Sequence, residues 1–393
     1  MSAPSLCILY LCEDAGISVF GRKGASTHIR EVCRSWLAQG HRIHMVCAEV
    51  GPDRDPSLEM EITQIAPLRS RKLGSDLRRL LTNRRFARAL PAIARQFKPH
   101  VIYERHSLYT GAGLHLARRL GVPHMLEANA LLSDEQSHRL RWHRWAARRE
   151  RAAFEGTDCL ITVSPGLSQT CRNWGASPEK IHTLPMAVDP ERFLPRAHDP
   201  ARRSTWGWSP DAIVVGYLGA LTGWHRPDLL LEAVSRLRED HPAMRLLFVG
   251  GAPKQIADLQ RLAAERGLGD RVVFTGAVPH GEVPALLAEF DIGVVPGAHQ
   301  WSMPTKMMEY WAMSIPLVAP ATLNLRSVVE DDRTGLLFTP DDPEALAGAL
   351  SRALRDAPLR RRLAEEGREQ VLREHTWMAH GARLIELCQE LVR

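Results

Sequence analysis

A pair of doubly wound α/β sheets follows from three features of this 393-residue chain. Ten short apolar runs rich in Val, Ile and Leu recur along it, five on either side of residue 190. Most are apolar at successive positions, the pattern of strands covered on both faces. Helical periodicity fills the intervals, which makes the strands parallel. The length exceeds what one hydrophobic core usually organises, so two domains are expected.

The runs LCILYL, RIHMVCA, HVIYE, HMLEA and CLITVS read as strands of a first domain, residues 1–190. IVVGYLG, MRLLFVG, RVVFTG, IGVVP and IPLVAP read as strands of a second, residues 211–375. Helix Ala25–Gln39 shows a stripe of Ile29, Cys33, Trp36 and Leu37, and Leu229–Arg238 one of Leu230, Leu231, Val234 and Leu237. Pro343 opens a helix reaching Leu354, where proline is well placed at the first turn. Residues 191–210 are Pro-rich, charged and without periodicity, so they read as a linker. A last amphipathic helix, residues 376–393, follows the second sheet. In doubly wound sheets, ligands bind at the carboxyl ends of the strands, which places a site in a crevice between the domains.

Composition excludes several classes. A hydrophobic fraction of 45% with 24% charged residues is that of an ordinary globular protein. No apolar run reaches the roughly 18–20 residues that span a bilayer. Ser5–Cys12 runs straight into Glu13 and Asp14 and reads as a buried strand, not a signal peptide. Seven cysteines with no Cys-x-x-Cys read as free thiols in a reducing cytoplasm. The 17 histidines show no metal-ligand spacing, and the single Asp-x-Asp, Asp53-Arg54-Asp55, stands in a Pro-rich loop without partner ligands, so no metal is expected.

Charge is uneven. Residues 1–195 carry 28 basic and 19 acidic side chains, a surplus of nine, while the remainder has a deficit of three. Arg69–Lys98 holds ten cations and one acid, Asp76, with Leu73, Leu77, Leu80 and Leu81 on one helical stripe. This suits a surface on anionic lipid, or a merely solvated helix face. Nucleic acid is not expected, because aromatic residues do not interleave with the cations.

Two loops could carry chemistry. After the first strand comes DAGISVFGRKGASTH, with three glycines and two cations ahead of a helix. It is neither Gly-x-Gly-x-x-Gly nor a P-loop, since Arg22-Lys23 stands where Lys-Ser/Thr is required. In the second domain, PTKMMEYWAMSIPLVA places Lys306 in the first turn of a helix and Glu309 three residues on, on the same face. A cation beside helix-start amides suits a diphosphate, and a carboxylate one turn later suits two ribose hydroxyls. The same spacing also suits a solvated ion pair.

That stretch resembles the donor-nucleotide motif of family 4 glycosyltransferases of the GT-B fold, in the branch reading P-[ST]-K-[LM]-x-E-Y-x-A-x-x-x-P-x-[VI]-A. GRKGASTHIREVCRSWLAQGHRIHMVC, ITVSPGLSQTCRNWGASPEKIHTLPMAVDPERF, VGYLGALTGWHRPDLLLEAV and FTGAVPHGEVPALLAEFDIGVVP resemble further segments of the family, in register. The resemblance implies a retaining transferase that moves a sugar from a nucleoside-diphosphate sugar to a hydroxyl acceptor, lipid-linked or small, with no cofactor and no metal. It implies that Glu309 binds the ribose, and that Lys306 and Thr305 bind the diphosphate. Val278 with Gly276 and Ala277 would receive the base, and Gly219, His225 and Arg226 would border the phosphates. Gly24 and Ala25 would approach the donor from the first domain. Glu127, Asn129 and His106, with Arg105, would face the sugar and acceptor as catalytic groups together with Lys306. The terminal helix would pack back on the first domain.

This chain departs from the pattern where Trp301 replaces the first of two glutamates eight positions apart, and where Ala220 and His225 replace an Arg and a Lys. A nucleotide-sugar 2-epimerase and a catalytically inactive nucleotide-sugar-binding protein are the alternatives. The expected setting is the cytoplasm, with peripheral docking at the inner face of the membrane.

Overall fold

A computed structural model describes residues 4–21, 23–52, 54–69 and 73–393. Arg22, Asp53, Arg71 and Lys72, named above, lie outside the described residues. The chain divides into two units, Met1–Pro185 with Trp377–Arg393, and Met186–Thr376.

The first unit holds a seven-stranded parallel sheet in the order β3-β2-β1-β4-β5-β6-β7. Its strands are β1 (Cys7–Cys12), β2 (Arg42–Cys47), β3 (Glu61–Gln64), β4 (Val101–Arg105), β5 (His124–Ala128), β6 (Cys159–Thr162) and β7 (Ile181–Thr183). The sheet is apolar on both faces, as the unbroken runs require. Leu9, Leu11 and Ile102 pack beneath Phe86, Leu90 and Phe97 of helix Ser75–Phe97. On the opposite face Tyr10, Trp36 and Tyr103 meet as tilted and edge-on rings. Helix Trp377–Val392 belongs to this unit, and Trp36 Nε1 donates to Gly381 O across 3.1 Å.

The second unit holds a six-stranded parallel sheet in the order β10-β9-β8-β11-β12-β13. Its strands are β8 (Ile213–Leu218), β9 (Met244–Val249), β10 (Val272–Phe274), β11 (Ile292–Val294), β12 (Leu317–Pro320) and β13 (Leu336–Phe338). Large apolar clusters cover both faces.

The segment 191–210 differs from the expected linker. It forms helix Pro200–Thr205, and the fully buried Arg203 bolts it to the second unit. Arg203 donates to Glu289 Oε2 at 3.1 Å, Ala212 O at 2.8 Å and Asp291 Oδ2 at 3.2 Å. A guanidinium removed from water needs such complete pairing, and it ties the segment down. All seven cysteines are free.

Candidate functional site

In the second unit the order of strands reverses at β8, so its carboxyl end is where a ligand is expected. Three glycines with positive φ stand at the ends of β8, β9 and β10: Gly219 at +129°, Gly250 at +114° and Gly276 at +73°. Gly250 N donates to Gly276 O at 3.0 Å, and a Cβ on Gly250 would come within 2.4 Å of Gly219 O. Side chains would hold these backbones apart.

Helix Thr305–Ala312 starts beside them, after Pro304, with no side chain capping its first turn. Lys306 and Glu309 are each only 8% exposed, so they are not a solvated surface pair. The Lys306 ammonium lies 4.1 Å from the centre of the Tyr217 ring, and its Nζ has no hydrogen-bond partner among the described residues. Gly219 makes room for it, since a Cβ there would sit 3.0 Å from Nζ. Burial pushes Lys306 down to about 7, against the opposing pull of Glu309. Burial likewise pushes Glu309 up to about 7, opposed by Lys306 and Arg192. His280 Nε2 stands 4.0 Å from Glu309 Oε1. A buried amine with no bonded partner among the described residues, beside open helix-start amides, is an arrangement that suits an anion.

His225 joins this group. Burial and the nearby Lys306 push its imidazole down to about 3, so it is neutral, and it stacks on Trp224 with ring centres 4.6 Å apart. Arg226 does not join it as a free cation. It is paired with Asp228 at 3.2 Å and with Asp341, so its charge is already matched. Val278 is half-buried against the core and borders a separate cavity of about 420 Å³ with Thr275 and Glu282. Trp301 is buried and offers no carboxylate.

In the first unit, Glu127 ends β5 inside a closed network. Its carboxylate accepts from Tyr103 Oη at 2.8 Å, Arg105 Nη1 at 2.7 Å and Asn129 Nδ2 at 2.5 Å, with His28 Nε2 at 3.2 Å. Burial would raise its pKa, but His28, Arg105 and these hydrogen bonds hold it at about 2. His106 is also engaged: its Nε2 is 2.7 Å from Glu150 Oε1, and Glu150 further accepts from Leu132 N at 2.8 Å and Ser133 N at 3.1 Å. The expectation that Glu127 and His106 face a substrate therefore meets two side chains buried among protein partners. A carboxylate taken from water is satisfied internally unless something else supplies donors. Gly24 and Ala25 open helix Gly24–Ala38, again without a side-chain cap, and a Cβ on Gly24 would touch nothing.

A group missed in the sequence lines a cavity of about 570 Å³ beyond the carboxyl end of β1, including Glu13, Arg79, Asn83 and Ser107. Glu13 is buried with neither carboxylate oxygen bonded among the described residues, and burial with the nearby Glu104 pushes its pKa well up. Arg79 Nη1 and Ser107 Oγ are also buried without partners among the described residues. The signal was present, since an acid directly after a buried strand is a ligand-side position.

A model of the family described as glycosyl transferases group 1 matches residues 199–370, and one of glycosyltransferase family 4 matches residues 22–192. D-inositol 3-phosphate glycosyltransferase of Stackebrandtia nassauensis is 32% identical over 296 residues, 70% of this chain and 65% of that protein. The chain thus spans just under two thirds of that curated relative. MMP alpha-(1->4)-mannosyltransferase of Mycolicibacterium hassiacum is 24% identical over 94% of this chain and 95% of its own. Among solved structures, sucrose-phosphate synthase from Thermosynechococcus elongatus superposes with a TM-score of 0.79 at 22% identity, covering 98% of this chain and 99% of its own. Anabaena HepE in complex with UDP and glucose gives 0.76 at 17% identity, covering 98% and 100%. With both units matched in sequence and in fold, the chain belongs to glycosyltransferase family 4 and has the GT-B fold.

Proposed function

We propose that the protein is a retaining glycosyltransferase that moves a sugar from a nucleoside-diphosphate sugar to a hydroxyl. One observation carries the reading: the buried, unbonded ammonium of Lys306 beside uncapped amides, with the carboxylate of Glu309 one turn on. A diphosphate would supply the missing anion, and two ribose hydroxyls would donate to Glu309. Relatives named for inositol phosphate and mannose transfer, and a fold neighbour holding UDP, support a sugar nucleotide as donor.

The transfer breaks the bond from the sugar's anomeric carbon to the diphosphate oxygen and forms one to the acceptor oxygen. The acceptor's proton passes to the leaving phosphate, so no protein base is needed. Lys306 and the amides at Thr305 act by stabilising the charge that develops on that phosphate. The cavity bordered by Glu13, Asn83 and Ser107 is the proposed acceptor pocket. Glu127 and Arg105 support it from within the fold by fixing the end of β5.

A protein that binds the donor without turnover is the second reading, because Trp301 is buried and Arg226 is already paired. Assay of sugar release and transfer over a panel of nucleoside-diphosphate sugars separates the two. Transfer is expected with the intact chain, falling at least about 100-fold in Glu309→Ala and Lys306→Ala, the scale of a lost charged hydrogen bond. Full activity in both variants would overturn the donor site, and donor binding with no transfer would establish the second reading.

A further inference from the structure

We infer that the first unit docks on anionic lipid through Trp142, Trp145 and the arginines around them. The inference stands apart from the chemistry above, and it relocates the apolar contact. Helix Ser75–Phe97 turns Phe86, Leu90 and Phe97 into the core, and Leu80 packs against Leu108, Tyr109, Leu140 and Ala146. Of the leucine stripe of Arg69–Lys98, Leu80 packs inside the protein, Leu73 and Leu81 are half-buried and Leu77 is exposed. What stands outside is Trp142 at 42% and Trp145 at 40% exposure, with Leu77 also exposed. Trp145 stacks on Tyr109 at 5.0 Å, and Trp142 meets Trp145 edge-on at 6.5 Å, so the pair is held in place.

The charge around the pair is one-sided because the fold removes the acids. Asp76, the single acid of helix Ser75–Phe97, is 3% exposed, and its Oδ2 accepts from the backbone amides of Arg141 at 2.8 Å and Trp142 at 3.2 Å. Glu150, the single acid of residues 137–151, is 2% exposed and bonded to His106 and Ser133. Arg139, Arg141, Arg144 and Arg148 are exposed and make no ion pair with the described residues. Asp134 and Glu135 are the exposed acids on the short helix just before, and four unpaired guanidinium groups outweigh them. Two ordered indoles ringed by unpaired arginines match a headgroup layer, where indole sits at the boundary and cations meet anionic phosphate. Helix Ser75–Phe97 links the patch to the first-unit cavity: its Asp76 holds the amides of Arg141 and Trp142, and its Ser75 and Arg78 line that cavity. A lipid-borne hydroxyl acceptor would thereby be presented beside it.

The test is co-sedimentation of the full chain with vesicles of phosphatidylcholine alone or mixed with phosphatidylglycerol. Binding is expected only to the mixed vesicles, strong at about 0.1 M salt and largely lost at about 1 M, where the Debye length is about 3 Å. Arg141→Ser with Arg144→Ser should weaken partition roughly 25-fold, about fivefold for each arginine. Trp142→Ser with Trp145→Ser should weaken it by about tenfold or more. Melting temperature and nucleotide binding of the arginine variant should match the parent protein. No binding at low salt, equal binding to both vesicle types, or undiminished binding by both double variants would each overturn the inference.

Discussion

At the scale of single residues, buried charge is held in two ways. Lys306 is left unbonded, whereas Glu127 is surrounded by Tyr103, Arg105, Asn129 and His28. The second arrangement locks the end of β5, and under the proposed function the first takes an anion. Glu127→Ala would strand Arg105 without its partner, so it should destabilise the first unit by about 3–5 kcal/mol. Glu127→Gln should cost less, since it can still accept hydrogen bonds. A melt of each variant checks this, and an unchanged midpoint for the alanine variant would contradict it. The pH dependence has a definite sign. Glu127 titrates at about 2 in the fold against 4.5 ordinarily, so its contribution is present above about pH 4.5 and lost as the pH falls toward 2. His28 is pushed by burial from 6.5 to about 3, so the unfolded chain takes up a proton first and stability declines as the pH falls from about 6.5. Both act toward acid sensitivity, and unfolding measured from pH 7 to 3 should show the midpoint dropping throughout.

At the scale of elements, close approach decides where the site helix sits. Helix Thr305–Ala312 packs on helix Ala357–Glu374 at Gly367, where a Cβ would come within 2.3 Å of Trp311 Cδ1. Trp311 is further fixed by Nε1 donating to Thr334 O at 2.8 Å. Gly367→Ala should therefore cost about 1–3 kcal/mol and displace the turn bearing Lys306 and Glu309, lowering nucleotide affinity although residue 367 touches no ligand. Equal affinity and stability would contradict this packing account. Such contacts are not legible in a sequence, since Gly367 looks like any helical glycine until its neighbour is known. The long apolar runs and the helix stripes were legible, because both-face burial imposes a continuous pattern. Glu61–Gln64, Ile181–Thr183 and Leu336–Phe338 escaped, being three- or four-residue strands at or near sheet edges where little apolar surface is buried. That Lys306 and Glu309 stand one turn apart on one helix was readable from helical spacing. The capture of His106 by Glu150 was not, since the partners are 44 residues apart.

For the whole molecule, the charge asymmetry of the sequence gains a structural meaning. The surplus of nine in residues 1–195 is exposed in part because Asp76 and Glu150 are turned inward. The two units thus differ in what they expose and what they bury. One carries a cationic, indole-bearing surface and a polar cavity, and the other carries the buried Lys306 and Glu309. The central claim is that Lys306 and Glu309 hold the diphosphate and ribose of a sugar nucleotide, and calorimetric titration of the full chain with UDP and GDP tests it most directly. Because burial has pushed Lys306 down to about 7, an arriving diphosphate raises it again. With the opposing titration of Glu309 removed in Glu309→Gln, binding above pH 7 should then take up a proton from the buffer, and affinity should fall as the pH rises from about 7. Lys306→Met should abolish both the proton uptake and at least about 90% of the affinity, on the scale of a charged hydrogen bond. Binding of either nucleotide with unchanged affinity and proton uptake in Lys306→Met, or no binding of any nucleoside diphosphate by the intact chain, would contradict the account.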